Sequence, residues 1–189
     1  SNKNVRSRLM GIPTLISTTT ADGSVTNVTI TSGIDSTYDE YMFVCTDIHF
    51  ATAGQNFEFQ VNVDGQSGYN ETVTTTIFEV HHKEDDSGTD GPSYLASNDQ
   101  ANGTAAIQLF GDSENDADAS ISGIVHLFGP ASTTYVKHFY TRFTGMRDNA
   151  RTGEVYTAGY FNVTGAIDEI KFRVSSGNFD GVIQMYGIA

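Results

Sequence analysis

Cysteine is almost absent from this chain, since Cys45 is the only one among 189 residues. An internal disulfide is therefore excluded, and with it the class of small secreted domains that depend on a disulfide framework. The surrounding residues, Tyr-Met-Phe-Val-Cys-Thr, predict that Cys45 is a small core residue. No partner His or Asn is suggested nearby, so a catalytic thiol is not predicted.

Basic residues are scarce: ten Lys and Arg stand against 23 Asp and Glu, and the formal net charge is −13. This balance argues against a nucleic-acid partner, because neutralising phosphates requires a basic face. Lys3, Arg6 and Arg8 all precede the first acidic residue. Residues 1–10 are therefore interpreted as a basic N-terminal arm, which is either a solvated tail or a segment that docks on an acidic partner.

Long hydrophobic runs are missing as well. No apolar stretch approaches the ~18 residues that a membrane-spanning helix needs. The polar start of the chain has no signal-peptide core. We therefore expect a soluble protein that is made in a cytoplasm and has no membrane partner.

The residues that are abundant favour β-strands. The 12 Phe, 9 Tyr and 19 Gly, with frequent Thr and Ser, suit pleated, half-buried surfaces joined by turns. The segment Phe57–Val63 shows the pattern most clearly, since its apolar residues alternate with polar ones. No Pro-rich or Gly/Ser-rich linker divides the chain, so residues 11–189 are predicted to form one domain.

The predicted fold is all-β: a two-sheet antiparallel sandwich, jelly-roll-like, with about 8–11 strands. Two polar segments, Lys83–Asn102 and Gly111–Ala119, interrupt the alternation and are expected to be surface excursions. The expected strands are Leu9–Ser17, Val25–Thr31, Tyr41–Phe50, Phe57–Val63, Thr75–His81, Ala105–Phe110, Ile121–Phe128, Tyr135–Phe143, Val155–Phe161, Ile167–Val174 and Val182–Ile188.

The end of the chain predicts a β-hairpin over Ala166–Ala189. A Ser-Ser-Gly-Asn turn separates its two apolar runs. We expect the last strand to be an inner element of the fold, with Tyr186 and Ile188 largely buried.

Two acidic segments raise the question of a metal site, and the first is His81–Asp90. It holds two His and four carboxylates within ten residues. Adjacent side chains of a strand point to opposite faces, and no zinc-type Cys/His spacing is present. A solvated acidic loop is the favoured interpretation, with calcium and a transition metal as alternatives.

In the second segment, carboxylates alternate along the chain at Asp112, Glu114, Asp116 and Asp118. This alternation is typical of calcium loops, but the Gly and Glu that an EF-hand would need further along are replaced by other residues. The four residues are weak candidates for a Ca²⁺ site. The alternative is an acidic turn that keeps the surface soluble, and no other cofactor is predicted.

Catalytic signatures are absent from the sequence. It has no Gly-x-Ser-x-Gly elbow, no phosphate-cradling Gly loop and no His-Glu-x-x-His. Paired carboxylates for glycoside cleavage are defined by their separation in the fold, and nothing in the sequence selects a pair. We therefore predict no enzymatic activity, and a glycan-degrading enzyme is the least favoured alternative.

The chain also carries a resemblance to a known group. Ser176–Ile188 has the form Ser-Gly-Asn-Phe-x-Gly-x-Ile-x-x-Tyr-Gly-Ile, and Tyr38 and Tyr41 lead into a strand as Tyr-x-x-Tyr. Both features resemble small β-sandwich virion proteins of tailed bacteriophages, many of them marine. The resemblance implies a jelly-roll-like structural part of the virion, usually oligomeric, with no cofactor and no catalytic residue.

The function expected from this resemblance is that of a capsid decoration or cement protein, which binds the major capsid protein or another virion protein. The alternative is a tail fibre or spike module that binds a host receptor or glycan through the region of Tyr94, Asn98, Asp99 and Asn102. Aromatic residues along Tyr135–Phe143 predict a homo-oligomer, and a trimer is the expected size.

Overall fold

The computed structural model describes residues 11–88 and 91–189. The predicted basic arm, with Lys3, Arg6 and Arg8, lies outside these residues. The described part of the chain is all-β, with twelve strands and no α-helix. Accordingly, no helix in this part is long and apolar enough to cross a membrane.

Each predicted strand overlaps one of the observed strands, and one strand, β6, is additional. It forms inside the predicted surface excursion Lys83–Asn102, because Gly91–Tyr94 pairs with the preceding strand. The strands are β1 (Thr14–Val25), β2 (Asn27–Ile30), β3 (Glu40–Phe50), β4 (Phe57–Val63), β5 (Val73–Lys83), β6 (Gly91–Tyr94), β7 (Ile107–Phe110), β8 (Ile121–Phe128), β9 (Lys137–Arg147), β10 (Arg151–Phe161), β11 (Ile167–Val174) and β12 (Phe179–Ile188).

The strands form two antiparallel sheets whose apolar faces meet in one core. The large sheet has eight strands in the order β1-β12-β3-β8-β9-β10-β5-β6, and the small sheet has four in the order β2-β11-β4-β7. The chain therefore changes sheet repeatedly, and the hairpin strands β5-β6 and β9-β10 extend only the large sheet. The prediction of a two-sheet antiparallel sandwich is confirmed.

The predicted C-terminal hairpin is wrong. β11 pairs with β2 and β4 in the small sheet, whereas β12 pairs with β1 and β3 in the large sheet. The turn between them crosses from one sheet to the other: the N–H of Ser175 donates to Asn56, and the C=O of Asn178 accepts from Ala51. Alternation alone cannot distinguish strands that pair side by side from strands that pack face to face, because both bury every second residue.

The last strand is an inner element, as predicted, because β12 lies between β1 and β3. The expected burial of Tyr186 and Ile188 is wrong. Both are half-buried on the outer face, while Phe179, Ile183 and Met185 face the core. Apolar residues occur on both faces of this strand, so the alternation alone does not identify the buried face.

Gly187 brings together the two sequence features that carry the resemblance. A Cβ at this position would lie 2.2 Å from the ring of Tyr38, so only glycine fits there. The ring of Tyr38 packs edge-on against that of Tyr41, with 5.8 Å between centroids. The Tyr-Gly-Ile ending and the Tyr-x-x-Tyr segment are therefore in contact at one end of the sandwich.

Phenylalanine rings form the centre of the core and join the two sheets. The ring of Phe57, on the small sheet, lies 5.7 to 6.4 Å from four other rings, and three of those four belong to the large sheet. These geometries are the offset and edge-to-face contacts that aromatic pairs prefer. The four rings are those of Phe50, Phe143, Phe172 and Phe179.

Cys45 is buried in this core, as predicted. Burial raises the pKa of its thiol well above the ordinary value, because a thiolate is poorly solvated there. The reactive thiolate is therefore almost absent from the folded protein even at mildly alkaline pH.

We expect the folded protein at pH 8 to resist Ellman's reagent and to release one equivalent of thionitrobenzoate only after unfolding in guanidinium. The absorbance of the released product measures the reaction. Raising the solution to pH 9 should leave the folded protein unreactive, because the raised pKa keeps the thiol protonated. Labelling of the folded protein at the rate of a free cysteine would show that Cys45 is accessible.

Candidate functional site: an aromatic face on the large sheet

The outer face of the large sheet carries a group of aromatic side chains at exposed or half-buried positions. Phe78 is 45% exposed, Tyr94 61% and Tyr140 45%. They reach the surface because each strand alternates, so that their neighbours Ile77, Phe139 and Thr141 face the core. We call this surface the aromatic face, which comprises Phe78, Tyr94, Phe128, Tyr140, Tyr156 and Tyr160.

Strand register places three of these residues and Arg142 in one row, side by side across four strands. Tyr94 on β6 is opposite Phe78 on β5, which is opposite Tyr156 on β10, which is opposite Arg142 on β9. The rings of Phe78 and Tyr156 stack at 4.8 Å with an angle of 8° between their planes. Directly opposed side chains of this kind stabilise the sheet and hold one another in fixed orientations.

A second row runs beside the first. Ala158 on β10 is opposite Tyr140 on β9, which is opposite His126 on β8. The rings of His126 and Tyr140 stack at 4.6 Å, and Phe128 lies 5.7 Å from Tyr140. The Nδ1 atom of His126 also contacts the carboxylate of Glu40. Two rows of mutually supported rings therefore make this face a preorganised surface.

A depression of about 470 Å³ opens in the aromatic face where β10 has small residues. Ala158 leaves space between its larger neighbours. The next position requires glycine, because a Cβ at Gly159 would lie 2.4 Å from the carbonyl oxygen of Thr74 and 2.9 Å from the ring of Phe139. The side chains around the depression are those of Thr74, Thr76, Phe128, His138, Tyr140 and Tyr160. Such a mixture of rings and hydroxyl groups suits a ligand with both apolar and hydrogen-bonding surfaces.

The charged residues beside the first row compensate each other. The Nε–H of Arg142 donates to Oε1 of Glu154, and this contact raises the pKa of Arg142 and lowers the pKa of Glu154. The guanidinium of Arg142 also lies 5.6 Å from the centre of the Tyr156 ring. The pair stays ionised at neutral pH, and its two charges cancel at the edge of the aromatic face.

The aromatic residues of Tyr135–Phe143, the segment from which a homo-oligomer is predicted, are divided between the core and the surface. Phe139 and Phe143 face the core, and Lys137 is fully buried, with its ammonium donating to the carbonyl oxygen of Val163 at 3.2 Å. Burial lowers the pKa of Lys137. Of the aromatic residues in this segment, Tyr140 contributes to the aromatic face. Tyr135, 74% exposed, lies before the strand begins.

The region of Tyr94, Asn98, Asp99 and Asn102, named above as the alternative site for a glycan, makes several internal contacts. The hydroxyl of Tyr94 donates to Asp99, whose other carboxylate oxygen accepts from the N–H of Ile77 at 2.9 Å. Asn98 donates to Gln108 at 2.5 Å, and the side chain of Asn102 accepts from that of Asn162 at 2.9 Å. Of this set, Tyr94 is part of the aromatic face, and the polar groups of Asp99, Asn98 and Asn102 bond to β5, to β7 and to Asn162 after β10.

The weak calcium candidates are not brought together. Among the described residues, no group of three or more His, Cys, Asp or Glu side chains is arranged to hold a metal ion. Asp112 accepts from Nη2 of Arg147 at 2.7 Å, and the side chains of Asp116 and Asp118 are exposed. Glu114 is half-buried in the same turn and does not join them in a ligand set.

The histidine pair at the end of β5 behaves as the alternation predicts. His81 is 18% exposed and lies 3.6 Å from Glu79, whereas His82 is 58% exposed and lies 3.5 Å from Asp86. The two rings therefore point to opposite faces and have different carboxylate partners. The last residue of the predicted acidic loop, Asp90, lies outside the described residues.

Comparison of the chain with protein-family models, with curated proteins and with solved structures gives no match. The class of protein is therefore defined by the structure alone. It is a two-sheet β-sandwich with an ordered aromatic face on its large sheet.

Proposed function

We propose that this chain is a non-enzymatic structural protein of a tailed-phage virion, a capsid decoration protein whose aromatic face docks on the major capsid protein. The observation that carries the proposal is the aromatic face itself. Contiguous exposed rings on a soluble protein are typical of surfaces that bind a partner, and Tyr residues are enriched among the side chains that dominate interface energies.

The order of the strands supports the jelly-roll form of this proposal. Four neighbouring strands of the large sheet have the order β1-β12-β3-β8, and the four strands of the small sheet have the order β2-β11-β4-β7. The chain alternates between these two sets from β1 to β4 and again from β7 to β8 and from β11 to β12. Two four-stranded sheets wound in this way are expected of a jelly roll, an architecture that occurs in viral capsid and lectin domains.

The rigidity of the aromatic face favours a protein partner. Its rings are already stacked, as in the pair of Phe78 and Tyr156, so little side-chain freedom is lost on docking. Its adjacent charges, Arg142 and Glu154, are already paired, so covering the face would not leave either one without a partner. The proposed homo-oligomer, with a trimer as the expected size, would present several such faces to the shell and bind by avidity.

We expect the double substitution F78S/Y140S to reduce occupancy on empty phage shells by at least about tenfold, since two interface rings each contribute more than about 1 kcal/mol. Occupancy is measured as the mass ratio of the protein to shell protein after sedimentation. The matched control is Leu15→Ser, which alters a 50% exposed apolar residue on β1, four strands from the nearer of the two substituted strands. Equal occupancy for wild type and F78S/Y140S would contradict docking by this face.

The position of the protein in the intact particle tests the proposal independently. Cryo-electron microscopy of virions should place it on the shell, at three-fold or quasi-three-fold positions. Density confined to the tail would instead support the second candidate, a receptor- or glycan-binding module.

One observation favours that second candidate. The depression over Ala158 combines the rings of Tyr140 and Tyr160 with the hydroxyl groups of Thr74 and Thr76, and sugars bind by stacking on rings and donating to such groups. A glycan array with the wild-type protein and with Tyr160→Ala tests this function. Binding that is lost in the variant would support it, and an array without binders would count against it.

A further inference from the structure

A separate cleft lies on the opposite side of the molecule from the aromatic face, on the outer face of the small sheet. This cleft, of about 280 Å³, lies between the beginning of β2 and the end of β11, and the turn that follows β11 closes it. Its side chains are mainly hydrogen-bond donors and cations. They belong to Thr26, Asn27, Lys171, Arg173, Ser175 and Ser176.

Two cations face this cleft from neighbouring positions of one strand. Lys171 and Arg173 are two residues apart on β11 and therefore lie on the same face of the sheet. Register pairs Lys171 with Thr29 and Arg173 with Asn27 on β2. In a chain with ten basic and 23 acidic residues, two adjacent cations beside a cleft are a departure from the overall charge balance.

The guanidinium of Arg173 is only partly engaged. Its Nε atom lies 3.3 Å from the carboxylate of Glu58 and 3.4 Å from the carbonyl oxygen of Val174. Both contacts use the same nitrogen, and the side chain is 37% exposed. The two terminal amino groups, with up to about four N–H donors, therefore have no acceptor among the described residues.

The ammonium of Lys171 is held in place without a carboxylate partner among the described residues. It lies 4.4 Å from the centre of the Tyr69 ring, in a cation–π contact. Burial lowers the pKa of Lys171, and the charge of Arg173 lowers it further. Two carboxylates are near, but Glu58 is beside Arg173 and Glu169 accepts from the hydroxyl of Tyr69 at 2.5 Å.

We propose that the cleft between β2 and the end of β11 binds a tetrahedral oxyanion, phosphate or sulfate, through Lys171, Arg173 and the hydroxyl groups of Thr26 and Ser176. A guanidinium with two unused amino groups and an ammonium are the donors that recognise such anions. The anion also relieves the repulsion between the two cations. This site is independent of the aromatic face and of the function proposed for it.

The test is a ¹H–¹⁵N correlation titration of the full chain with sodium sulfate and, separately, with sodium phosphate, at ionic strength held constant with sodium chloride. We expect saturable shifts confined to the amides of Thr26, Asn27 and residues 175–177. Lys171→Met, which keeps an apolar stem beside the Tyr69 ring, should weaken binding by at least about tenfold. Lys83→Gln removes the same charge elsewhere and should bind as the wild type does.

A second variant keeps the test decisive if Lys171→Met does not fold. Lys171→Arg keeps the positive charge and should retain binding to within about threefold, an effect smaller than 1 kcal/mol. The proposal is overturned if chloride alone produces the same shifts, if the shifts are spread over the surface, or if Lys171→Met binds sulfate and phosphate as tightly as the wild type. Preference for one of the two anions would identify which class of natural ligand carries the group.

Discussion

Replacing Phe57 by alanine should lower the free energy of unfolding by about 3–5 kcal/mol, the range measured for large aromatic deletions in cores. Phe57 is fully buried and contacts rings from both sheets. Its removal eliminates a large apolar surface and leaves a cavity between the two packed sheets. Collapse of the cavity is restricted, because hydrogen-bonded strands on both sides fix the separation of the sheets.

Guanidinium unfolding followed by circular dichroism measures this loss, and the matching fall in melting temperature should be about 2–4 °C for each kcal/mol in a domain of this size. Phe78→Ala is the control, because it makes the same chemical change at a side chain that is 45% exposed. We expect that variant to stay within about 1 kcal/mol of the wild type. Equal losses for the two variants would mean that Phe57 is not the central contact of the core.

The second large effect should come from Arg147→Met, with a loss of about 3–5 kcal/mol. The side chain of Arg147 is 8% exposed, and its Nη1 donates to Glu79, which is 6% exposed. Its Nη2 reaches Asp112 at 2.7 Å, which ties the turn after β7 to the large sheet. The substitution removes the guanidinium partner of the buried Glu79 carboxylate, which keeps the ring of His81 at 3.6 Å as a neighbour.

Arg142→Met is the matched control, since Arg142 pairs with Glu154 at the surface, where its side chain is 59% exposed. An exposed pair of this kind contributes ~0–1 kcal/mol. The double variant R147M/E79L should recover part of the stability, because two apolar side chains replace a buried pair without an unpaired charge. A loss below about 1 kcal/mol in R147M, measured by the same unfolding titration, would show that Glu79 is solvated in the native state.

The aromatic face illustrates how far alternation can be used as a predictor. In β5 the sequence Ile77-Phe78-Glu79-Val80 suggests no clear inside, because apolar residues stand at consecutive positions and an acid lies between two of them. The structure places Ile77 and Glu79 inward and Phe78 and Val80 outward. Glu79 can occupy the inner face only because Arg147, distant in sequence, compensates its charge there.

The two sequence features that carry the resemblance meet only in the folded protein. The Tyr-x-x-Tyr segment and the Tyr-Gly-Ile ending are far apart in the sequence, and their local patterns give no reason to place them together. In the fold, the ring of Tyr38 lies over Gly187 so closely that no side chain could replace the glycine's hydrogen. The requirement for glycine at this position is a property of tertiary contact and could not be derived from the strand pattern.

The sequence by itself determined the all-β class and the approximate positions of eleven of the twelve described strands, since period-two alternation and turn residues are local properties of the chain. Only the tertiary structure decided which sheet each strand joins, and so it replaced the expected C-terminal hairpin by a crossover between sheets. Pairing partners, the covered and uncovered faces of each strand, and compensation of buried charge all depend on residues that are distant in sequence. The aromatic face, the buried Arg147–Glu79 pair and the cationic cleft of Lys171 and Arg173 therefore emerged only from the fold.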